Sequence, residues 1–205
     1  MKRFYLGILI LFVSCKNTID KKGIFDESEY SKHNIEYLQA SIFLPKDYIE
    51  VDKSKLEEFL FKPLQKEVPS NVINMWKSNL QSLNSGISIY KKVSDPLNFI
   101  VIKKYPNYIP ITMGTSKFIK NLMEDYLRSD AKNYDLRYEL KESVLLSRPN
   151  IEIYKFKYWT NISGIKSDNI RYFIDFNKQT FEAQVLNVKN EDFDKIFKNI
   201  ERENE

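Results

Sequence analysis

Residues 136–188 constrain this chain most, because they divide into runs of two-residue periodicity separated by turn-forming residues. Tyr134, Leu136, Tyr138 and Leu140 alternate with Asp135, Arg137, Glu139 and Lys141, the pattern of a strand with one wet face. Arg148-Pro149-Asn150 then turns the chain into residues 151–160. Ile151 and Ile153 share one parity there and Tyr154, Phe156 and Tyr158 the other, which predicts a strand covered on both faces. Residues 163–169 read as a loop; Ile170, Tyr172, Ile174 and Phe176 alternate; Asn177-Lys178-Gln179 turns; and residues 181–188 return. Strand-like runs joined this closely pair antiparallel, as a meander.

Upstream the period changes. Residues 40–44 read as a strand leading into a turn at Pro45-Lys46-Asp47-Tyr48. Asp52 or Ser54 can cap a short helix that carries Leu56, Phe59 and Leu60 and ends near Pro63. Ser70 opens a clearer helix with Val72, Ile73, Trp76, Leu80 and Leu83 on one stripe, closed by Ser85-Gly86. Residues 87–93 and 99–105 form a hairpin around Ser94-Asp95-Pro96-Leu97-Asn98. Thr115 or Ser116 caps a helix with Phe118, Ile119, Leu122, Met123, Tyr126 and Leu127 on its stripe. Asn190 caps a last helix, carrying Phe193, Ile196, Phe197 and Ile200, before an acidic, fraying end. The expected fold is therefore α+β: an antiparallel meander with helices packed on it, one domain over residues 35–205.

That order of elements, with Phe43-Leu44-Pro45-Lys46-Asp47-Tyr48 near the start, resembles the PsbP-like αβα sandwich. The resemblance implies a non-enzymatic binding or assembly protein and names no ligand.

The N-terminus carries a second signal. Lys2 and Arg3 precede an apolar run, residues 4–13, too short to span a bilayer as a mature helix. Leu11-Phe12-Val13-Ser14-Cys15 resembles a bacterial lipobox, with Phe12 where Leu is usual. The resemblance implies cleavage of residues 1–14 and lipidation of Cys15, hence membrane attachment through an N-terminal lipid. Cys15 is the single cysteine, so no intramolecular disulfide can form. Lys16 after it, in the sorting logic of lipoproteins, points to the outer membrane facing the periplasm. Residues 15–34 read as the lipidated cysteine and a polar, flexible tether.

The chemistry is sparse. His33, the lone histidine, falls in the tether and reads as inert, leaving the folded part without an imidazole base or ligand. Neither metal nor cofactor is expected. The Ser-x-x-Lys pairs Ser88/Lys91, Ser129/Lys132 and Ser163/Lys166 open no clear helix, as a serine–lysine hydrolase would require. Net charge is +4 for the chain and +2 without Lys2 and Arg3, and the lysine pairs 91–92 and 103–104 fall at opposite ends of the hairpin. A nucleic-acid partner, which needs clustered cations, is excluded on that ground. The aromatic, proline-rich residues 105–111 are the first candidate contact surface, through Tyr105, Tyr108 and Ile109. The leading expectation is a lipid-anchored envelope protein that binds or assembles another protein. The alternative is a small-ligand or glycan-binding lipoprotein with tyrosines and Trp159 stacked on sugar rings. An exposed apolar patch on the loop would favour the first, and a concave aromatic cleft the second.

Overall fold

The computed structural model runs β1 (Tyr30–Ile35), β2 (Ala40–Pro45), β3 (Tyr48–Glu50), α1 (Lys62–Leu64), α2 (Ser70–Gln81), β4 (Ile87–Lys92), β5 (Asp95–Lys104), α3 (Met113–Tyr134), β6 (Leu136–Arg148), β7 (Ile151–Ile162), β8 (Ile165–Phe176), β9 (Gln179–Leu186), α4 (Phe193–Lys198) and β10 (Glu201–Arg202). It describes residues 24–66, 68–81, 86–134, 136–162, 164–187 and 191–203; the leader, Cys15, Leu83 and Asn190 lie outside them. The class is α+β. Seven strands form an antiparallel sheet in the order β3-β4-β5-β9-β8-β7-β6, and β1-β2-β10 form a smaller one.

The two faces of the large sheet meet different layers. On one face Ile100, Ile102, Ile151, Ile153, Tyr172, Ile174 and Val185 pack against Ile42 and Leu44 of β2 and Phe193, Ile196 and Phe197 of α4. On the other, α3 sets Ile119, Met123 and Leu127 on Tyr154, Phe156, Tyr158 and Phe173. Val72 and Ile73 of α2 share a second cluster with Phe99, Val101 and Leu186. The split parity of β7 is thus realised, with Ile151 and Ile153 facing the small sheet and Tyr154, Phe156 and Tyr158 facing the helices.

Several boundaries differ from expectation. Residues 24–34 are not a tether: Phe25 is buried and stacks on Phe43, and β1 pairs with β2 along its whole length. Polar residues alternate along β1 because its outer side is wet, and alternation over six residues in a charged context reads as linker. Residues 201–202 are not frayed, because Glu201 and Arg202 pair with Ser41 and Ala40. Asp192 caps α4 by accepting from the Lys195 amide at 3.0 Å. Thr112 caps α3, its hydroxyl accepting from the Thr115 amide at 3.2 Å while Thr115 accepts from the Thr112 amide at 2.7 Å. The short helix after Asp52 is a 3₁₀ turn and then a π turn, and it runs through Pro63 to Leu64. The hairpin turns at Val93-Ser94, with a bulge after Lys91 that absorbs the extra residues of β5. Strands β7 and β8 stay paired out to Ile162 and Ile165, so the expected loop shrinks to a tight turn in which Gly164 has φ +88°.

Candidate functional site

The expected contact loop is fastened down at both ends. Tyr105 donates its hydroxyl to Glu182 at 2.9 Å, and Ile109 exchanges both backbone bonds with the Thr180 hydroxyl at 2.7 Å each. Ile111 is buried beneath α3. Tyr108 and Ile109 are 50% and 39% exposed, and Tyr108 donates to Asp175 at 2.8 Å. Trp159 stands elsewhere, its indole N–H on Glu139 at 2.7 Å, on the β7 face opposite Tyr158. The four expected contact residues therefore do not converge. His33 is half-buried in β1, with its ring edge-on to Tyr90 at 5.0 Å and the Ser31 hydroxyl on its Nε2 at 2.9 Å. Burial lowers its pKa. Ser88 and Lys91 project from opposite faces of β4, and Ser129 and Lys132 are exposed on α3.

A concave site lies instead between α2 and α3. Val72 and Trp76 of α2 form one wall, and Met123, Tyr126, Leu127 and Asp130 of α3 the other. Phe99, Phe156, Tyr158, Leu186, Gln184 and Arg171 lie on its strand floor. The volume is about 160 Å³. The cavity exists because the two helices pack over different strands and the small sheet lies on the other face. Its aromatic side chains are partly fixed by one another, Trp76 meeting Phe99 edge-on at 5.8 Å.

At the floor sits a charge cluster. Glu182 is buried, and its carboxylate is shared by Lys103 at 2.9 Å and Arg171 at 3.3 Å, with the Tyr105 hydroxyl as a third partner. Burial alone would raise the Glu182 pKa, but Arg171, Lys103 and the phenol outweigh it and hold the carboxyl below its ordinary range. Two cations on one carboxylate leave the cluster with a net positive charge. Arg171 faces the cavity, and its Nε reaches the Tyr158 oxygen and its Nη1 the Met123 sulfur, both at 3.3 Å. A second buried ion, Lys155, lies on the opposite face of the sheet and pairs with Glu142 and Asp194, each at 2.9 Å. Burial opposes its charge, and the two carboxylates outweigh that and raise its pKa.

Arg171 and Glu182 were the residues that sequence reading missed. Arg171 falls between Ile170 and Tyr172, where alternation assigns it to a wet face. One signal was present: Glu182 interrupts the apolar run Phe181, Ala183, Val185, and a charge in a strand flanked by other strands needs a buried counter-charge.

The stripe on α3 is also split. Ile119, Met123 and Leu127 are buried, whereas Phe118, Leu122 and Tyr126 are 67%, 38% and 56% exposed and form a ridge along the solvent side.

No protein-family model and no curated protein matches this sequence. Among solved structures the chain is similar to cyanobacterial PsbP (CyanoP) from Synechocystis sp. PCC 6803, at 9% identity and a TM-score of 0.55 over 88% of this chain and 96% of that one. A protein of Bacteroides thetaiotaomicron VPI-5482 matches at 11% identity and a TM-score of 0.46, over 85% of this chain and 48% of that one. The first likeness shows a PsbP-like fold.

Proposed function

We propose that this chain is a lipid-anchored, non-catalytic envelope protein that takes a small ligand into the cavity between α2 and α3. The observation that carries this reading is the cavity itself: about 160 Å³, walled by Val72, Trp76 and Leu127, with one cationic side chain at its floor. Natural cores are packed to crystal-like density, and a concave opening lined mostly by apolar and aromatic side chains with a few convergent polar groups is the usual form of a ligand site. Attachment rests on the lipobox-like residues 11–15, and the outer-membrane, periplasm-facing location on Lys16. Among the described residues no helix is long and apolar enough to cross a membrane.

The test has two parts. Cys15→Ala should yield a soluble or unprocessed protein, and a processed species still fractionating with membranes would rule out the lipid anchor. A panel of small organic compounds should include members that raise the melting temperature of the wild type but not of Leu127→Phe, which fills the cavity. Absence of any such compound would reject the ligand site.

A second reading, a factor that binds or assembles another envelope protein, is favoured by the exposed ridge Phe118, Leu122 and Tyr126. Phe118→Ser with Leu122→Ser should then abolish a specific crosslink formed by the wild type while leaving the melting temperature unchanged. Tyr108→Ala with Ile109→Ser tests the 105–111 loop in the same way.

A further inference from the structure

We infer that the cavity selects a small organic anion, a carboxylate carried on an aromatic or short aliphatic body, and that Arg171 is the group that recognises it. The inference rests on the ligand-site reading above and adds the chemical class of the ligand.

Arg171 keeps donors that the described residues do not fill. A guanidinium has five N–H donors in a planar fork. Here Nε ends on the Tyr158 phenol at 3.3 Å, and Nη1 ends on the Met123 sulfur and on Glu182, each also at 3.3 Å. The two oxygen contacts are long, and a thioether is a weak acceptor. Among the described residues no acceptor meets Nη2. The side chain is 25% exposed, and it lines the cavity. A carboxylate presents two oxygens in a geometry that this fork can meet bidentately.

The surrounding charge has the right sign. Glu182 is already divided between Arg171 and Lys103, so it neutralises only one of them. Lys166 on the rim adds a cation, and Asp130 on the α3 wall is, among the described residues, the one carboxylate lining the cavity. Asp130 opposes an anion, which makes it a handle for the test.

The apolar walls fix the rest of the ligand. Val72, Trp76, Phe99, Leu127 and Phe156 offer no charge to a second ionic group. The volume of about 160 Å³ is close to that which holds a benzene-sized ring. A ring or short chain lying among these side chains, with its carboxylate toward Arg171, satisfies both.

Trp159 lies outside the cavity, so Trp159→Phe leaves Trp76 as the single reporter indole. Titration of this full-length protein with phenylacetate, phenylacetamide and phenethylamine, followed by Trp76 fluorescence, separates charge from shape. Phenylacetate should bind about tenfold more tightly than the amide, and the amine most weakly. Asp130→Asn should tighten phenylacetate about threefold or more while leaving the amide unchanged. Arg171→Gln combined with Glu182→Gln removes one charge of each sign and should erase the preference for the anion. Equal binding of the three compounds would overturn the anion assignment while leaving the ligand site standing. If none of the three binds while other compounds in the thermal panel do, the assigned class is wrong; if nothing binds at all, the ligand-site reading fails with it.

Discussion

The two faces of the seven-stranded sheet are built from neighbouring residues of the same strands, yet they differ in kind. Toward the small sheet, β8 and β9 present Ile170, Tyr172, Ile174, Phe181, Ala183 and Val185, all buried in one cluster with α4. Toward the helices the alternate residues are Asn169, Arg171, Glu182 and Gln184, and they line or underlie a cavity. A one-residue step along the strand moves from sealed core to site. Stability and recognition can therefore be divided between faces of a single sheet, each set by its own parity.

Removing a large side chain from the sealed face should produce the largest loss. Phe197 is fully buried, with its ring 4.7 Å from that of Tyr172, so Phe197→Ala should cost about 3–5 kcal/mol. Leu127→Ala on the cavity wall should cost about 2 kcal/mol, because solvent reaches the space it leaves. Urea denaturation of both variants measures the difference. Equal losses would mean that the helical face is packed as tightly as the other.

Next in size is the charge cluster. Glu182→Gln leaves Arg171 and Lys103 without their shared counter-charge and should destabilise by about 2–3 kcal/mol, below a wholly buried pair because both cations keep some water. The pH dependence has a definite sign. The Glu182 carboxyl sits below its ordinary value of 4.5 in the folded protein, so its contribution is present above that pH and is lost as pH falls through the folded value. Acid unfolding should be steeper for the wild type than for Glu182→Gln. Parallel acid limbs would show that Glu182 is not held in its charged form.

A smaller effect is expected where the 105–111 loop closes the end of the helical face. Thr180→Val removes both hydrogen bonds to the Ile109 backbone and should cost about 1–2 kcal/mol. Amide exchange should accelerate in the loop and leave β7 and β8 protected. Uniform acceleration across the sheet would assign Thr180 to the core and not to the loop.

The strands of the meander were legible because each carries its own period and its own turn. Asn177 and Lys178 both have positive φ, as a two-residue hairpin turn demands, and Asn at the first position signals it. The fold class followed from those runs and the helical stripes between them. The small sheet was not legible, because β1 and β10 are short and half wet, and each is a strand only through its pairing with β2. The site was hidden for a related reason. Arg171 and Glu182 are 11 positions apart in sequence and adjacent only because β8 pairs with β9. Tyr105, Tyr108, Ile109 and Trp159 share aromatic or apolar character in the sequence, and the fold gives each a separate local role.

The smallest effect belongs to His33, and it tests whether β1 is part of the sealed face. Its ring stands against Tyr90, which is fully buried, and burial lowers its pKa from the ordinary 6.5. The folded state therefore binds the proton less readily than the unfolded chain. As pH falls below 6.5 the unfolded state gains protons first and stability declines, until the folded ring is also protonated and the penalty becomes constant. Melting temperatures measured between pH 7.5 and pH 5.5 should fall slightly for the wild type and stay level for His33→Asn, about where ordinary carboxylates remain ionised. A histidine in a solvated tether has equal pKa values in both states and gives no slope. A wild-type profile as flat as the variant's would detach β1 from the core and leave the large sheet covered on that face by β2, β10 and α4 alone.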